Sequence, residues 1–318
     1  MGDILHPPVT VSVITYNSSK TVIETLDSIY QQTYPNLELV ISDDCSTDDT
    51  VRVCRNWIDA HQGRFLRAEV LESERNTGTS ANLNRAWDAC RTRWDKDIAG
   101  DDILFPNCIE DNIAFVTEHP EAVVVFSKTL IFETHGNKRV WLDYTWHDEG
   151  FFKLSMAEQY SYLLNKGNRL PAAPCFYDLE KLRELGIRHD ERIPLLEDYP
   201  KWVNLLRKGI ELSYFDKPTV GYRHDSQSLS AGLFSPIFFK SNILFYLYYY
   251  LDEIDSEEKR DSVYQLIASQ LLPFYAKTYD EVTRTRQSWD FRVGHLVLAP
   301  FRYLKQLLSR LSKFLTRK

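Results

Sequence analysis

Two pairs of adjacent carboxylates mark where this chain could do chemistry. Asp43 and Asp44 lie in SDDCSTDDT, residues 42–50, directly after the apolar run LELVI. Asp101 and Asp102 lie in AGDDILFP, after the shorter apolar pair Ile98 and Ala99. A buried strand ending in paired acids delivers them into a loop, and open α/β sheets bind ligands beyond the carboxyl ends of their strands. Carboxylate and phosphate oxygens are the donors that Mg²⁺ and Mn²⁺ prefer. Two such pairs therefore imply a polar, metal-dependent nucleotide site, which points to an enzyme.

The elements that must position these acids are visible as a repeating pattern. Residues 9–15 form a β-rich run, and Tyr16 to Ser19 offer side chains that could cap the next helix. Val22, Ile23, Leu26, Ile29 and Tyr30 recur at helical spacing until Tyr34-Pro35. Strand 37–41 follows, then a helix bearing Val51, Cys54, Trp57 and Ile58, capped by Ser46 or Thr47. A third strand over 65–71 leads through ESERNTGTS into a helix with Leu83, Ala86, Trp87 and Cys90. Ile98-Ala99 reads as a short strand, 106–119 as a helix and 121–132 as a long strand. Strands alternating with helices of this length indicate βαβ units and a mostly parallel sheet. After Glu133 the alternation stops, and Trp141, Tyr144, Trp146, Phe151 and Phe152 suggest an irregular substrate-binding half. A helix over 197–208 ends at Gly209, strands lie within 210–223, and 235–285 reads as wholly helical.

Composition narrows the possibilities. The chain has 318 residues, 43% of them hydrophobic, enough for one large domain or two smaller ones. The net charge of −7 argues against a general nucleic-acid binder. Cys45, Cys54, Cys90, Cys108 and Cys175 show no CxxC spacing, as expected of reduced, structural thiols in the cytosol. MGDILHPPVTVSV lacks a basic region before a long apolar stretch, so no signal peptide is expected. The most apolar window, 234–251, is broken by Lys240, Ser241 and Asn242 and reads as a buried helix.

Five segments together name a family. VSVITYN, SDDCSTDDT, RNTGTSANLN, AGDDILFP and LEDYPKW resemble, in order and spacing, the family 2 glycosyltransferases of bacterial cell-surface polysaccharide type. These are inverting enzymes of GT-A fold that take nucleotide-sugars. The resemblance covers about residues 8–225 and implies an α/β, Rossmann-like, mostly parallel sheet flanked by helices, with a helical C-terminal extension. It divides the chain into a GT-A domain (1–225), a helical extension (226–290) and a basic tail (291–318). Within the GT-A domain, 8–133 would bind the nucleotide-sugar, and 134–225 would supply the acceptor side and the catalytic base.

Residue by residue, the resemblance implies that Thr15, Tyr16 and Asn17 form the nucleotide end of the first strand, with Tyr16 on the base. Asp43 or Asp44 would accept hydrogen bonds from base and ribose. Capping of the helix after residue 50 is an alternative role for Asp44, but Asp48 and Asp49 already occupy that helix's first turn. Arg75, Asn76, Gly78 and Ser80 would lie beside the nucleotide, where the following helix offers N–H groups to phosphate. Asp101 and Asp102 match the metal-binding motif, with a departure: Ala99 stands where many members carry an acid. Which of the two ligates Mg²⁺ or Mn²⁺ and which meets ribose stays open. Asp198 corresponds to the general base of an in-line displacement, although Glu197 and Asp198 also suit a helix N-terminus. His224 lies where some relatives place a histidine near metal or diphosphate, and Arg223 is a further candidate.

From residue 291 onward the chain carries seven Lys or Arg and no acid. Phe301, Leu304, Leu308, Leu311 and Leu315 step by three and four, with Arg302, Lys305 and Lys313 mostly opposite. That pattern reads as an amphipathic helix for a membrane surface, or one packed on the enzyme body or a partner subunit. The expected partners are a nucleotide-sugar, UDP by default, and a glycan or polyprenyl-linked glycan, met at the cytosolic face of the cell membrane. Two alternatives stand beside this reading. A sugar nucleotidyltransferase would need a Gly-rich loop after its first strand, and TYNSSKT contains no glycine. A non-catalytic scaffold subunit is motivated by Ala99.

Overall fold

The computed structural model describes residues 6–136, 138–142, 150–224 and 236–250. Its elements run β1 (Val9–Thr15), α1 (Val22–Tyr30), β2 (Leu37–Asp43), α2 (Thr50–His61), β3 (Arg67–Glu72), α3 (Thr79–Ala89), β4 (Trp94–Ala99), β5 (Ile103–Leu104) and α4 (Cys108–Glu118). There follow β6 (Val124–His135), β7 (Lys138–Trp141), α5 (Met156–Lys166), β8 (Phe176–Asp178), α6 (Leu179–Glu184), α7 (Tyr199–Arg207), β9 (Leu212–Arg223) and α8 (Pro236–Phe245). One sheet has the order β3-β2-β1-β4-β8-β6-β9-β5, with β7 paired to β6. β3, β2, β1 and β4 are parallel, as are β6 and β9; β8, β5 and β7 join by short antiparallel pairings. The chain leaves β1 for β2 on one side and returns for β4 on the other. That reversal opens the crevice at which such sheets bind ligands.

Period-two alternation gives the sheet two unlike faces. Val9, Val11 and Val13 of β1 share a side with Leu37, Leu39 and Ile41 of β2 and with Trp94 and Ile98 of β4. These pack with Val22, Leu26 and Ile29 of α1, Cys54 and Trp57 of α2, and Ile109 and Ile113 of α4 in one apolar core. On the other side Thr10, Ser12, Asp95 and Asp97 are buried as well. α3 packs against β1 and β2, and Asn82 of α3 bonds Ser42 of β2. The alternating sequence of β1, VTVSVIT, therefore does not mark a solvent-facing side.

Several local expectations are corrected. Ile23 and Tyr30 are 48% and 44% exposed, because α1 buries Val22, Thr25, Leu26 and Ile29 instead. Strand β4 extends back to Trp94 through Asp95-Lys96-Asp97, since the fold satisfies those charges. The Lys96 ammonium donates to the carbonyls of Asp97 and Ala173 at 2.6 and 2.5 Å. Ser18 offers its backbone carbonyl, not its side chain, to the first turn of α1. Neither Ser46 nor Thr47 caps α2; Asp48 takes the Thr50 N–H at 3.0 Å. The aromatic residues after Glu133 form two groups: Trp141 packs on Phe105 and Phe132, while Phe152 packs on Phe126 and Tyr214. Tyr144 and Trp146 lie outside the described residues, as do the part of the expected helix after residue 250 and the basic tail. No helix among the described residues is long and apolar enough to cross a membrane.

Candidate active site

The ends of β1, β2 and β4 meet where the strand order reverses. Gly100 makes this possible: a Cβ there would stand 2.9 Å from Thr15 Cγ2. Thr15 donates its hydroxyl to Asp43 Oδ2 at 2.7 Å. Asp43 also accepts the Ser46 N–H and hydroxyl at 2.7 and 2.5 Å, which folds the β2–α2 loop back on the strand end. Asn17, at φ 53°, accepts the Thr47 N–H at 2.8 Å and ties the β1 loop to the same turn.

Asp44 holds the loop that leads into α3 and not the start of the adjacent helix α2. Its carboxylate accepts the N–H groups of Thr77 and Gly78 at 3.0 and 2.7 Å and the Thr77 hydroxyl at 2.6 Å. Arg85 Nη2 lies 3.4 Å away. This anchors the RNTG loop to β2 and places an anion at the N-terminus of α3, where the helix dipole favours it. Gly78 adopts φ 87° at that junction, a conformation costly for residues with a Cβ. Tyr16 is half exposed above the crevice, and Arg75 and Asn76 are exposed on its rim. Buried in the first turn of α3, the Ser80 hydroxyl has no hydrogen-bond partner among the described residues.

The second acidic pair divides its work. Asp102 is buried and accepts the Arg223 backbone N–H at 2.8 Å, joining the β4 end to the β9 end. Burial, with the neighbouring Asp101 charge, pushes its carboxyl well above the usual range. Asp101 is less buried. Arg223, ranked below His224 from sequence, is the hub of this corner. It donates Nε to the Asp101 carbonyl at 2.7 Å, contacts Glu24 and Thr134, and stacks over Phe132 at 4.6 Å. His224 Nδ1 meets Glu133 Oε1 at 3.1 Å. Among the described residues no three His, Cys, Asp or Glu side chains gather as a metal cage.

Asp198 occupies the N-cap of α7. One carboxylate oxygen accepts the Tyr199 N–H at 2.6 Å and the other accepts Asn168 Nδ2 at 2.8 Å. Burial raises its pKa, opposed by the Lys201 charge. Burial and the Asp198 charge push Glu197 to about 7. Asn168 was not legible beforehand, because it follows α5 by loop geometry alone. Lys201 and His189 were missed too, both buried beneath this pair.

A groove of about 610 Å³ lies elsewhere, along α1 between Lys20, Glu24, Gln31, Phe105 and Arg139. It is on the apolar-core side of the sheet, and none of the candidate residues lines it. The candidate residues of β1, β2 and β4 gather instead at the crevice beyond the strand ends.

Comparison with known proteins agrees with this architecture. The family model "Glycosyl transferase family 2" matches residues 10–168, half of the chain. Over 236 residues the chain is 24% identical to the UDP-Glc:α-D-GlcNAc-diphosphoundecaprenol β-1,3-glucosyltransferase WfaP of Escherichia coli, covering 74% of this chain and 85% of WfaP. Its fold is similar to that of Staphylococcus aureus TarS in complex with UDP-GlcNAc, with TM-score 0.56 and 20% identity over 85% of this chain and 73% of the other. It is likewise similar to the mannosyltransferase PcManGT of Pyrobaculum calidifontis, in complex with GDP-Man and Mn²⁺, with TM-score 0.58 and 15% identity over 96% and 85% of the two chains. A GT-A sheet, its motifs in place and a family match across half its length make this chain a glycosyltransferase, a member of glycosyl transferase family 2.

Proposed function

We propose that the enzyme moves a sugar from a UDP-sugar to a hydroxyl of a glycan or polyprenyl-linked glycan, with inversion. The observation that carries this is the setting of Asp198, a carboxylate fixed through both oxygens on Tyr199 and Asn168 at a helix N-terminus. The acceptor hydroxyl gives its proton to that carboxylate as its oxygen bonds the anomeric carbon. The bond from that carbon to the diphosphate oxygen breaks, and its electron pair leaves with UDP. A positioned base of this kind contributes ~10²–10⁴-fold, and a raised carboxyl pKa brings it nearer the working pH. One lone pair on each Asp198 oxygen remains to receive the proton.

The oxygen donors at the β4 end fit a hard divalent cation. Asp101, the more accessible of the pair, is the ligand we assign, while Asp102 ties the β9 end; His224, oriented by Glu133, is the second candidate. Such ions complete their shells with phosphate oxygens and water around one or two carboxylates. Bound Mg²⁺ or Mn²⁺ would neutralise charge on the departing diphosphate. Tyr16 would stack on the base, with Thr15, Asn17, Arg75, Asn76 and Ser80 around the nucleotide. Asp43 and Asp44 would shape this pocket chiefly by holding its loops; Asp43 keeps one lone pair for ribose or base, whereas those of Asp44 are taken by Thr77, Gly78 and Arg85. The UDP-linked donor and lipid-linked acceptor in the name of WfaP, and the UDP-GlcNAc bound to TarS, support UDP and a polyprenyl carrier. The Mn²⁺ of PcManGT supports the metal. The basic amphipathic pattern of 291–318 supports attachment at the cytosolic membrane face, read by cosedimentation with anionic vesicles. The reading is tested by Asp198→Asn: transfer from UDP-sugar falls at least 100-fold while UDP binding persists. Full transfer by that variant would overturn it.

A further inference from the structure

A lysine is almost never fully buried without a partner of opposite charge. Lys201, one turn into α7, is fully buried, yet its ammonium meets a phenol and an imidazole instead of a carboxylate. It donates to the Tyr177 hydroxyl at 2.8 Å and lies 3.5 Å from His189 Nε2. Three aromatic faces surround it: Tyr177, Trp202 and Trp87, with centroids 4.4, 4.5 and 5.1 Å from Nζ. Aromatic faces stabilise a desolvated cation without neutralising it. Burial lowers its pKa, opposed first by Asp97 and then by Cys175, Asp198 and Glu197, so its charge is coupled to theirs.

Those surroundings are the base pair above and the polar face of the sheet below. His189 Nδ1 donates to the Glu197 carbonyl at 2.9 Å, which fixes the tautomer and turns Nε2 toward Lys201 as an acceptor. Tyr177 and Asp97 of β4 are electrostatic neighbours beneath the lysine. The charges facing Lys201 are Asp97 from β4 and Glu197 and Asp198 from the start of its own helix, with the Cys175 thiol before β8. Asp198 faces Glu197, Lys201 and the neutral amide of Asn168.

We infer that Lys201 is a positioning residue for the reaction: a caged, unneutralised cation that keeps the base Asp198 ionised, shared between it and Asp97. The inference rests on Asp198 being the base. It gives the buried polar face a task in catalysis, because Asp97 competes with Asp198 for the same cation.

The test follows the Asp198 carboxyl carbon by NMR through a pH titration of full-length protein labelled at aspartate carboxyls, with Asp198→Asn assigning the signal. Lys201→Met removes the charge at similar volume and raises the Asp198 midpoint by about one pH unit or more, the usual effect of losing a nearby opposite charge. Lys201→Arg keeps the charge and holds the midpoint near wild type. Asp97→Asn releases the cation and lowers the midpoint. An unmoved midpoint in Lys201→Met, or an equal rise in Lys201→Arg, overturns the inference. Should Lys201→Met fail to fold, Asp97→Asn decides alone: a midpoint that stays or rises is contradictory. UDP release from UDP-glucose by Asp198→Asn is read separately. Its persistence at wild-type rate refutes the base assignment, whereas its loss beside an unmoved Lys201→Met midpoint refutes only the role of the lysine.

Discussion

The two faces of one sheet are built to different ends. The face under α1, α2 and α4 is a continuous apolar core, in which Val11, Leu26 and Cys54 are fully buried. Opposite it, Thr10, Ser12, Asp95 and Asp97 are buried, with hydroxyl partners for Thr10 and Asp95 and the Lys201 and Lys96 charges near Asp97. Apolar burial stabilises without direction, whereas a buried charge costs stability unless it is paired. A fold that tolerates such charges beneath its candidate base gains a tuned electrostatic environment there. The apolar face holds the sheet, and the polar face sets the charge state of what rests on it.

Substitutions on the two faces should separate these roles. Asp198→Asn, above the polar face, lowers kcat by ~10²–10⁴ while the thermal midpoint and UDP affinity stay near wild type. A parallel loss of stability would mean the carboxylate matters chiefly as a helix cap. Leu26→Ala, on the apolar face, costs about 2–5 kcal/mol of stability in denaturant unfolding. Its activity per folded molecule remains unchanged; a specific loss of turnover would blur the contrast between the faces. At Asp95 the sign with pH is the diagnostic. Burial and the Asp97 charge push its carboxyl up to about 7, so the folded state binds the proton more tightly than the unfolded chain. That contribution is full below about pH 4 and is lost as pH rises through 7. Asp95→Asn should therefore stabilise at pH 8, by a few kcal/mol at most, with the gain vanishing toward pH 4. A gain that grows on acidification would reverse the assignment. The smallest effect is expected at Asp44→Asn, which weakens charge-assisted bonds to Thr77 and Gly78 worth about 1–3 kcal/mol together. UDP affinity falls modestly there, and hydrogen exchange at Thr77 and Gly78 speeds up.

How much of this was legible beforehand follows from the range of the interactions. The strands ending at Asp43 and before Asp101, and the helix opening at Asp198, are written in local apolar periodicity and turn chemistry. Asp44 was weighed as a cap for the helix next in sequence; it binds the Thr77 N–H, 33 residues on and just before α3, through a contact that no local pattern encodes. WDKDIA looks like solvated chain, and only three-dimensional partners such as Ser12 and the Ala173 carbonyl make it a buried strand. β5 and β8, two and three residues long, are too short to show periodicity. Nothing in LEDYPKW singles out Lys201, because its burial against Tyr177 and His189 depends on contacts distant in sequence.

The central claim is that a metal-dependent donor site at the β4 end and a base at the α7 end are separate parts of one crevice. Calorimetric titration of UDP into wild type, Asp101→Ala and Asp198→Asn, with Mn²⁺ and then with excess chelator, tests it most directly. The account predicts binding in wild type and Asp198→Asn that chelator abolishes, and none in Asp101→Ala. UDP binding that ignores both the metal and Asp101, or that disappears in Asp198→Asn, would contradict it.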